Sequence, residues 1–175
     1  MGVEFALTAG SLRVRFVRRG DRFAHFVEQV VDDRAVVLLE SIEGTAAEHW
    51  PASPPVQELE PAAGPRAGQS LGDQSQIVWL IGRAGASHWS ASVEALPSGI
   101  VTFDIACRVH SAPDWLGSRY RVHDVPGGER LSIEPLADCQ LASTDGRSEL
   151  VVVAEIVGDT LPRTIRWRYR ISARC

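Results

Sequence analysis

Two alternating segments joined by Pro97-Ser98-Gly99 constrain this chain more than any other feature. Before the loop, Trp89, Ala91, Val93 and Ala95 form an apolar series and His88, Ser90, Ser92 and Glu94 a polar one. After it, Val101, Phe103, Ile105, Cys107 and Val109 are apolar, and Thr102, Asp104 and Arg108 polar. Successive side chains of a strand point to opposite faces, so this period of two predicts a pair of half-buried strands. Gly99 suits the last place of a three-residue hairpin loop, where φ is positive. That loop fixes the register. With Leu96 opposite Ile100, Glu94 faces Thr102, Ser92 faces Asp104, Ser90 faces Ala106 and His88 faces Arg108, while Trp89 meets Cys107 and Val93 meets Phe103. A slip of one residue would set Glu94 against Val101 and break every row. Upstream, Gln76 to Ile81 is a short apolar run ending at Gly82, the pattern expected of a strand covered on both faces.

The rest of the chain continues in the same manner. Leu12, Val14 and Phe16 alternate with arginines, and Arg19-Gly20-Asp21-Arg22 and Asp32-Asp33-Arg34 are turns, so a meander runs to Ile42, with a short strand over Glu4 to Thr8 before it. Residues 44–75 hold five prolines and four glycines and break the pattern. There Thr45 and Glu48 form a capping pair for one turn, and Val56 to Glu60 reads as a brief strand. Ser111 to Gly117 reads as a capped single turn, and Arg119 to Val125 and Arg130 to Leu136 as strands around Pro126-Gly127-Gly128. Ala137 to Ser148 reads as irregular, and Glu149 to Val157 with Arg163 to Ile171 as a closing hairpin. The expectation is one all-β domain over residues 1–175, an antiparallel β-sandwich of about ten strands, with a closed meander β-barrel as the alternative.

Composition excludes more than it assigns. All 18 basic residues are arginine, and the chain has neither lysine nor asparagine. Schiff-base chemistry, pyridoxal-phosphate attachment, a phosphate-loop lysine and N-glycosylation are therefore out. A net charge of −4 gives no reason to expect nucleic acid. No apolar run reaches membrane-spanning length, and the amino terminus lacks the pattern of a signal peptide, so a cytoplasmic protein with no membrane contact is expected. Cys107, Cys139 and Cys175 are too few and too widely spaced for a disulfide framework. No nucleophile elbow, dinucleotide fingerprint, phosphate loop or zinc-protease motif occurs, and no cofactor is expected.

Four constellations could carry chemistry. The polar stripe His88, Ser90, Ser92, Glu94, Asp104 and Arg108 offers imidazole, hydroxyl and carboxylate on one sheet face, against the ordinary reading of a solvent face. The echo A-x-H-W-x-A-S, at Ala47 to Ser53 and Ala86 to Ser92, pairs His49-Trp50 with His88-Trp89 as an aromatic platform, with the 44–75 loop as a lid; chance similarity is the competing account. Cys107, His110 and His123 follow a ligand-like order, but Cys107 and His110 would point to opposite faces, so no metal is expected. Arg13 and Arg15 with Arg166, Arg168 and Arg170 would make an anion or partner face if their strands were neighbours; the alternative is pairing with Glu149 and Glu155 of the preceding strand. Three functions follow: non-enzymatic binding of a small polar ligand, glycan or protein partner through the 44–75 loop and the 86–109 hairpin; a cofactor-independent hydrolase or lyase using His88 with Asp104 or Glu94; or a structural or regulatory interaction module that assembles, as in a homo-oligomer, through a sheet edge or the arginine face. The first is expected, since all-β scaffolds commonly bind through loops and no catalytic signature is present.

Overall fold

The computed structural model describes residues 4–62, 75–125, 131–143 and 148–173. Thirteen strands fill most of the described residues: β1 (Glu4–Ala9), β2 (Leu12–Arg19), β3 (Arg22–Val31), β4 (Arg34–Ser41), β5 (Glu58–Pro61), β6 (Gln76–Ala84), β7 (Ser87–Leu96), β8 (Ile100–Val109), β9 (Gly117–Val122), β10 (Leu131–Ala137), β11 (Cys139–Ser143), β12 (Glu149–Ala154) and β13 (Arg163–Ala173). They form two antiparallel sheets, one in the order β1-β2-β3-β4-β9-β12-β11 and the other β10-β13-β8-β7-β6-β5. The sheets pack as a β-sandwich; each keeps two edge strands, so no barrel closes. Among the described residues no helix is long and apolar enough to cross a membrane.

The central hairpin has the register its loop dictates: Leu96 pairs Ile100, Glu94 pairs Thr102, Ser92 pairs Asp104, Ser90 pairs Ala106 and His88 pairs Arg108. Gly99 has φ 84°, as the last loop position requires. In the other sheet, two-residue turns at Gly20-Asp21 and Asp32-Asp33 join β2, β3 and β4 into the expected meander. Core packing follows parity: Val14, Phe16, Val27 and Leu39 from one sheet meet Val93, Phe103, Ile105, Trp167 and Tyr169 from the other.

Several expectations are corrected. Ala137 to Ser148 is not wholly irregular, because Cys139–Ser143 pairs with β12. Glu149 to Val157 and Arg163 to Ile171 are not a hairpin: β12 lies between β9 and β11, and β13 crosses to the other sheet between β8 and β10. Ser111 to Gly117 makes no helical turn, since Leu116 is buried and its carbonyl accepts a hydrogen bond from the Ala154 amide at 3.0 Å, drawing the chain straight into β9. The strand over Gln76 to Ile81 is covered on one face only: Val78 and Leu80 are buried, but Trp79 and Ile81 stand outward, 53% and 51% exposed. The run is apolar throughout because its two faces carry apolar side chains for different reasons, so periodicity could not separate them. Cys175 and the Pro126-Gly127-Gly128 turn lie outside the described residues, as do positions 63–74 of the long loop.

The described part of that loop plugs one end of the sandwich. The amide of Phe23 donates to Val56 O at 2.7 Å and that of Gln57 to Ile81 O at 2.8 Å, so the loop bonds both sheets. Ser53, Pro54 and Pro55 are buried beneath it. At its start Thr45 and Glu48 do pair, with the Thr45 amide donating to Glu48 Oε1 at 3.0 Å. The plug is possible because β6 carries Gly82: a Cβ there would stand 1.5 Å from the Pro55 carbonyl oxygen. Replacing Gly82 with Ala must displace backbone, and we expect a loss of roughly 3 kcal/mol in urea unfolding. A loss under about 0.5 kcal/mol, the ordinary range for surface changes, would show that the plug is not held this closely.

Candidate functional site

The outer face of the six-stranded sheet is ordered by register into cross-strand rows. One row runs Arg83, His88, Arg108, Thr164 across β6, β7, β8 and β13. The next runs Glu58, Ile81, Ser90, Ala106, Arg166, and the one after it Glu60, Trp79, Ser92, Asp104, Arg168. The fourth runs Ile77, Glu94, Thr102, Arg170, Glu134. Ser90 and Ala106 are small and flanked by larger side chains, so they leave a trough. It forms an open groove of ≈ 400 Å³, lined by the first row, by the second row as far as Ala106, and by Gln57, Gly82 and Trp89.

The groove has an apolar side and a polar side. Ile81 lies on its floor and exposed Trp79 stands one row away on the same strand face. Trp79 and Ile81 stand outward side by side on this strand face, so together they offer an apolar surface for contact. Opposite lie Arg83, His88 and Arg108. Among the described residues neither arginine has a carboxylate partner, whereas Arg166 donates two hydrogen bonds to Asp104 and Arg170 donates to Glu134 Oε2 at 2.8 Å. His88 meets the ring of His110 edge-on, with centroids 6.5 Å apart.

The remaining candidate residues are distributed as follows. His88, Ser90, Ser92, Glu94, Asp104 and Arg108 share the outer face, but His88 and Asp104 sit two rows apart, about 13 Å along the strands, and His88 and Glu94 three rows, about 20 Å. No acid–base pair is brought into hydrogen-bond reach by that spacing. The two His-Trp copies do come together: Trp50 folds back onto Trp89 with centroids 6.2 Å apart and planes at 59°. Trp89 is only 5% exposed, however, so the pair closes the end of the core and is no open platform. His49 is exposed and packs beside Gly85.

Arg13 and Arg15 lie on β2 and Arg166, Arg168 and Arg170 on β13, in different sheets, so they form no common face. Arg13 and Arg15 grip buried Glu28 at 2.7 Å each, and Arg15 and Arg19 lie over the Phe26 ring, which covers the outer face of β3. Cys107 points into the core, where burial pushes its thiol up to about 12, and His123 lies on the other sheet 3.4 Å from Glu40. Among the described residues no three His, Cys, Asp or Glu side chains cluster to hold a metal. Trp79, Ile81, Arg83, Ala106 and Thr164 were not singled out from sequence. Parity through the two-residue turn at Gly85-Ala86 was the available signal, because Arg83 opposite His88 places Trp79 opposite Ser92.

Inside the sandwich, His25 Nε2 is 3.0 Å from the Tyr120 hydroxyl, which is 2.5 Å from that of Tyr169. Burial holds His25 down at about 4 and raises both tyrosines, so all three are neutral. Next to this network the His25 amide donates to Ser41 Oγ at 2.8 Å and Ser41 donates to Glu43 Oε1 at 2.5 Å. Burial raises Glu43 to about 7, outweighing its hydrogen bond from Ser41 and the nearby Arg22 and Arg19 charges. No family model, curated protein or solved structure matches this chain.

His25 and Glu43 pull the pH dependence of stability in opposite directions. Unfolding lets His25 take up a proton between its ordinary 6.5 and about 4, so its contribution is lost as pH falls through that window. Folding keeps a proton on Glu43 between 4.5 and about 7, so its contribution is lost as pH rises. We expect Glu43→Gln to leave the histidine effect unopposed, with urea-unfolding free energy falling more steeply than in the parent from pH 6.5 to 4.5, by up to about 1.4 kcal/mol per unit. Parallel pH curves for variant and parent would contradict this assignment.

Proposed function

We propose that this chain is a non-enzymatic binding domain that takes a small polar ligand or a stretch of glycan across the outer face of its six-stranded sheet. The observation that carries the reading is the pairing of outward Trp79 and Ile81 with a trough floored by Ser90 and Ala106. A sugar has one apolar ring face and an equatorial belt of hydroxyls. Trp79 offers a flat surface for the first, and Ser90, His88, Arg83 and Glu58 offer donors and acceptors for the second. The groove volume falls in the range of small-ligand sites, and its open form fits an extended chain better than an enclosed small molecule. The 44–62 segment supports the site from below, holding β6 in place through its bonds to Ile81 O and, through Gln57 Oε1, to the Arg83 amide.

Titration calorimetry against a panel of neutral and acidic oligosaccharides tests this directly. We expect binding that Trp79→Ala weakens about tenfold, about 1.4 kcal/mol, with the melting temperature unchanged because the side chain is half in solvent. No binding anywhere in the panel at millimolar concentration, or binding indifferent to Trp79→Ala, would overturn the proposal.

A further inference from the structure

We infer that the ligand carries a carboxylate, read by the row Arg83, His88, Arg108, so that the preferred glycan is one built from uronic-acid units. This rests on the groove being the binding site. Register puts Arg83 directly opposite His88 and His88 directly opposite Arg108, on three adjacent strands. Neighbouring strands stand about 4.8 Å apart, so the two guanidinium stems are about 10 Å apart with the imidazole between them. Exposed like charges this far apart repel weakly, whereas an opposite charge set directly between them would interact favourably with both. Elsewhere on this face Arg166 is answered by Asp104 and Arg170 by Glu134, while Arg168 is not answered among the described residues. At the groove the answer is missing among the described residues. Thr164 ends the row, and the one carboxylate lining the groove, Glu58, belongs to the next row on the far side of Ile81.

A carboxylate set over His88 would supply the absent partner. Each guanidinium presents a planar fork of donors to it from one side, and the imidazole adds a third donor beneath. The distance to the apolar part of the site also fits. Arg83 lies four residues from Trp79 on one strand face, about 13 Å, the span of two to three sugar rings. One ring therefore stacks at Trp79 while the acidic group of another reaches the cationic row. Arg168, which also lacks a carboxylate partner among the described residues, lies beside Asp104 in the Trp79 row, two rows from Arg83, and is not part of the proposed contact.

The test uses one oligouronide of four units in two forms, the free acid and its methyl ester, which differ in charge and keep the ring and the length. Calorimetry on the full chain should show the acid binding at least tenfold more tightly than the ester. Arg108→Gln should weaken the acid about fivefold and leave the ester unchanged, Arg83→Gln should weaken the acid more than the ester, and raising salt should weaken only the acid. Both side chains are exposed, so the variants should fold with the parent's melting temperature. Equal binding of acid and ester, both weakened by Trp79→Ala, would overturn the charge inference and leave the groove reading standing. Acid binding indifferent to both arginine variants would overturn it as well. Failure of both forms to bind would overturn the charge inference, and the groove reading falls with it only if the neutral oligosaccharides fail to bind as well.

Discussion

Strand parity governs everything else in this molecule. In a sandwich only one face of each sheet can be buried, so a pairing that fixes which side chain opposes which also fixes what lies in the core and what meets solvent. The β7–β8 register does this for the six-stranded sheet. With Trp89 against Cys107 and Val93 against Phe103 inward, the outward series His88, Ser90, Ser92, Glu94 and Thr102, Asp104, Ala106, Arg108 has no freedom left. Extending the same parity through β6 and β13 generates the rows that bound the groove. The site is thus a consequence of the register that fills the core, and it is built on strands, which hold geometry better than loops.

The interior is less uniformly apolar than that parity alone would need. His25, Tyr120 and Tyr169 are fully packed between the sheets, stacked among Phe16 and Phe103, and joined by hydrogen bonds. A neutral imidazole and two neutral phenols can share a chain of bonds without burying charge, and each unpaired polar atom there would cost about 1–3 kcal/mol. Because the network draws on β3, β9 and β13, it fastens the two sheets to one another at a defined position, which apolar packing alone does loosely.

Much of this was legible in the sequence. The all-β class, the central hairpin and its register, the first meander and the positive φ at Gly99 all followed from period two and turn chemistry, because those signals are local. What was not legible is long-range or depends on which face is covered. Sequence adjacency suggested that Glu149 to Val157 pairs with Arg163 to Ile171, yet β12 and β13 sit in different sheets, since a short Pro-containing connection can cross from one to the other as readily as turn back. Cys139–Ser143 was missed because nothing in its alternation stands out without β12 beside it. His25 lies in a run, Phe23 to Val31, that is buried nearly throughout; its outer face is covered by arginines from β2 and not by a third layer.

The same difficulty hid the site. Half of it, the polar stripe from His88 to Arg108, was visible as an ordinary solvent face, and its apolar half in β6 was visible as ordinary core. Neither alone points to a ligand, because solvent faces are polar and core strands are apolar by default. Joined by register, they depart from the defaults: tryptophan and isoleucine stand in the open on a face where Arg83, Arg108 and Arg168 have no carboxylate partner among the described residues. The proposed binding reading rests on these two features together, because either one alone has an ordinary explanation on a sheet face.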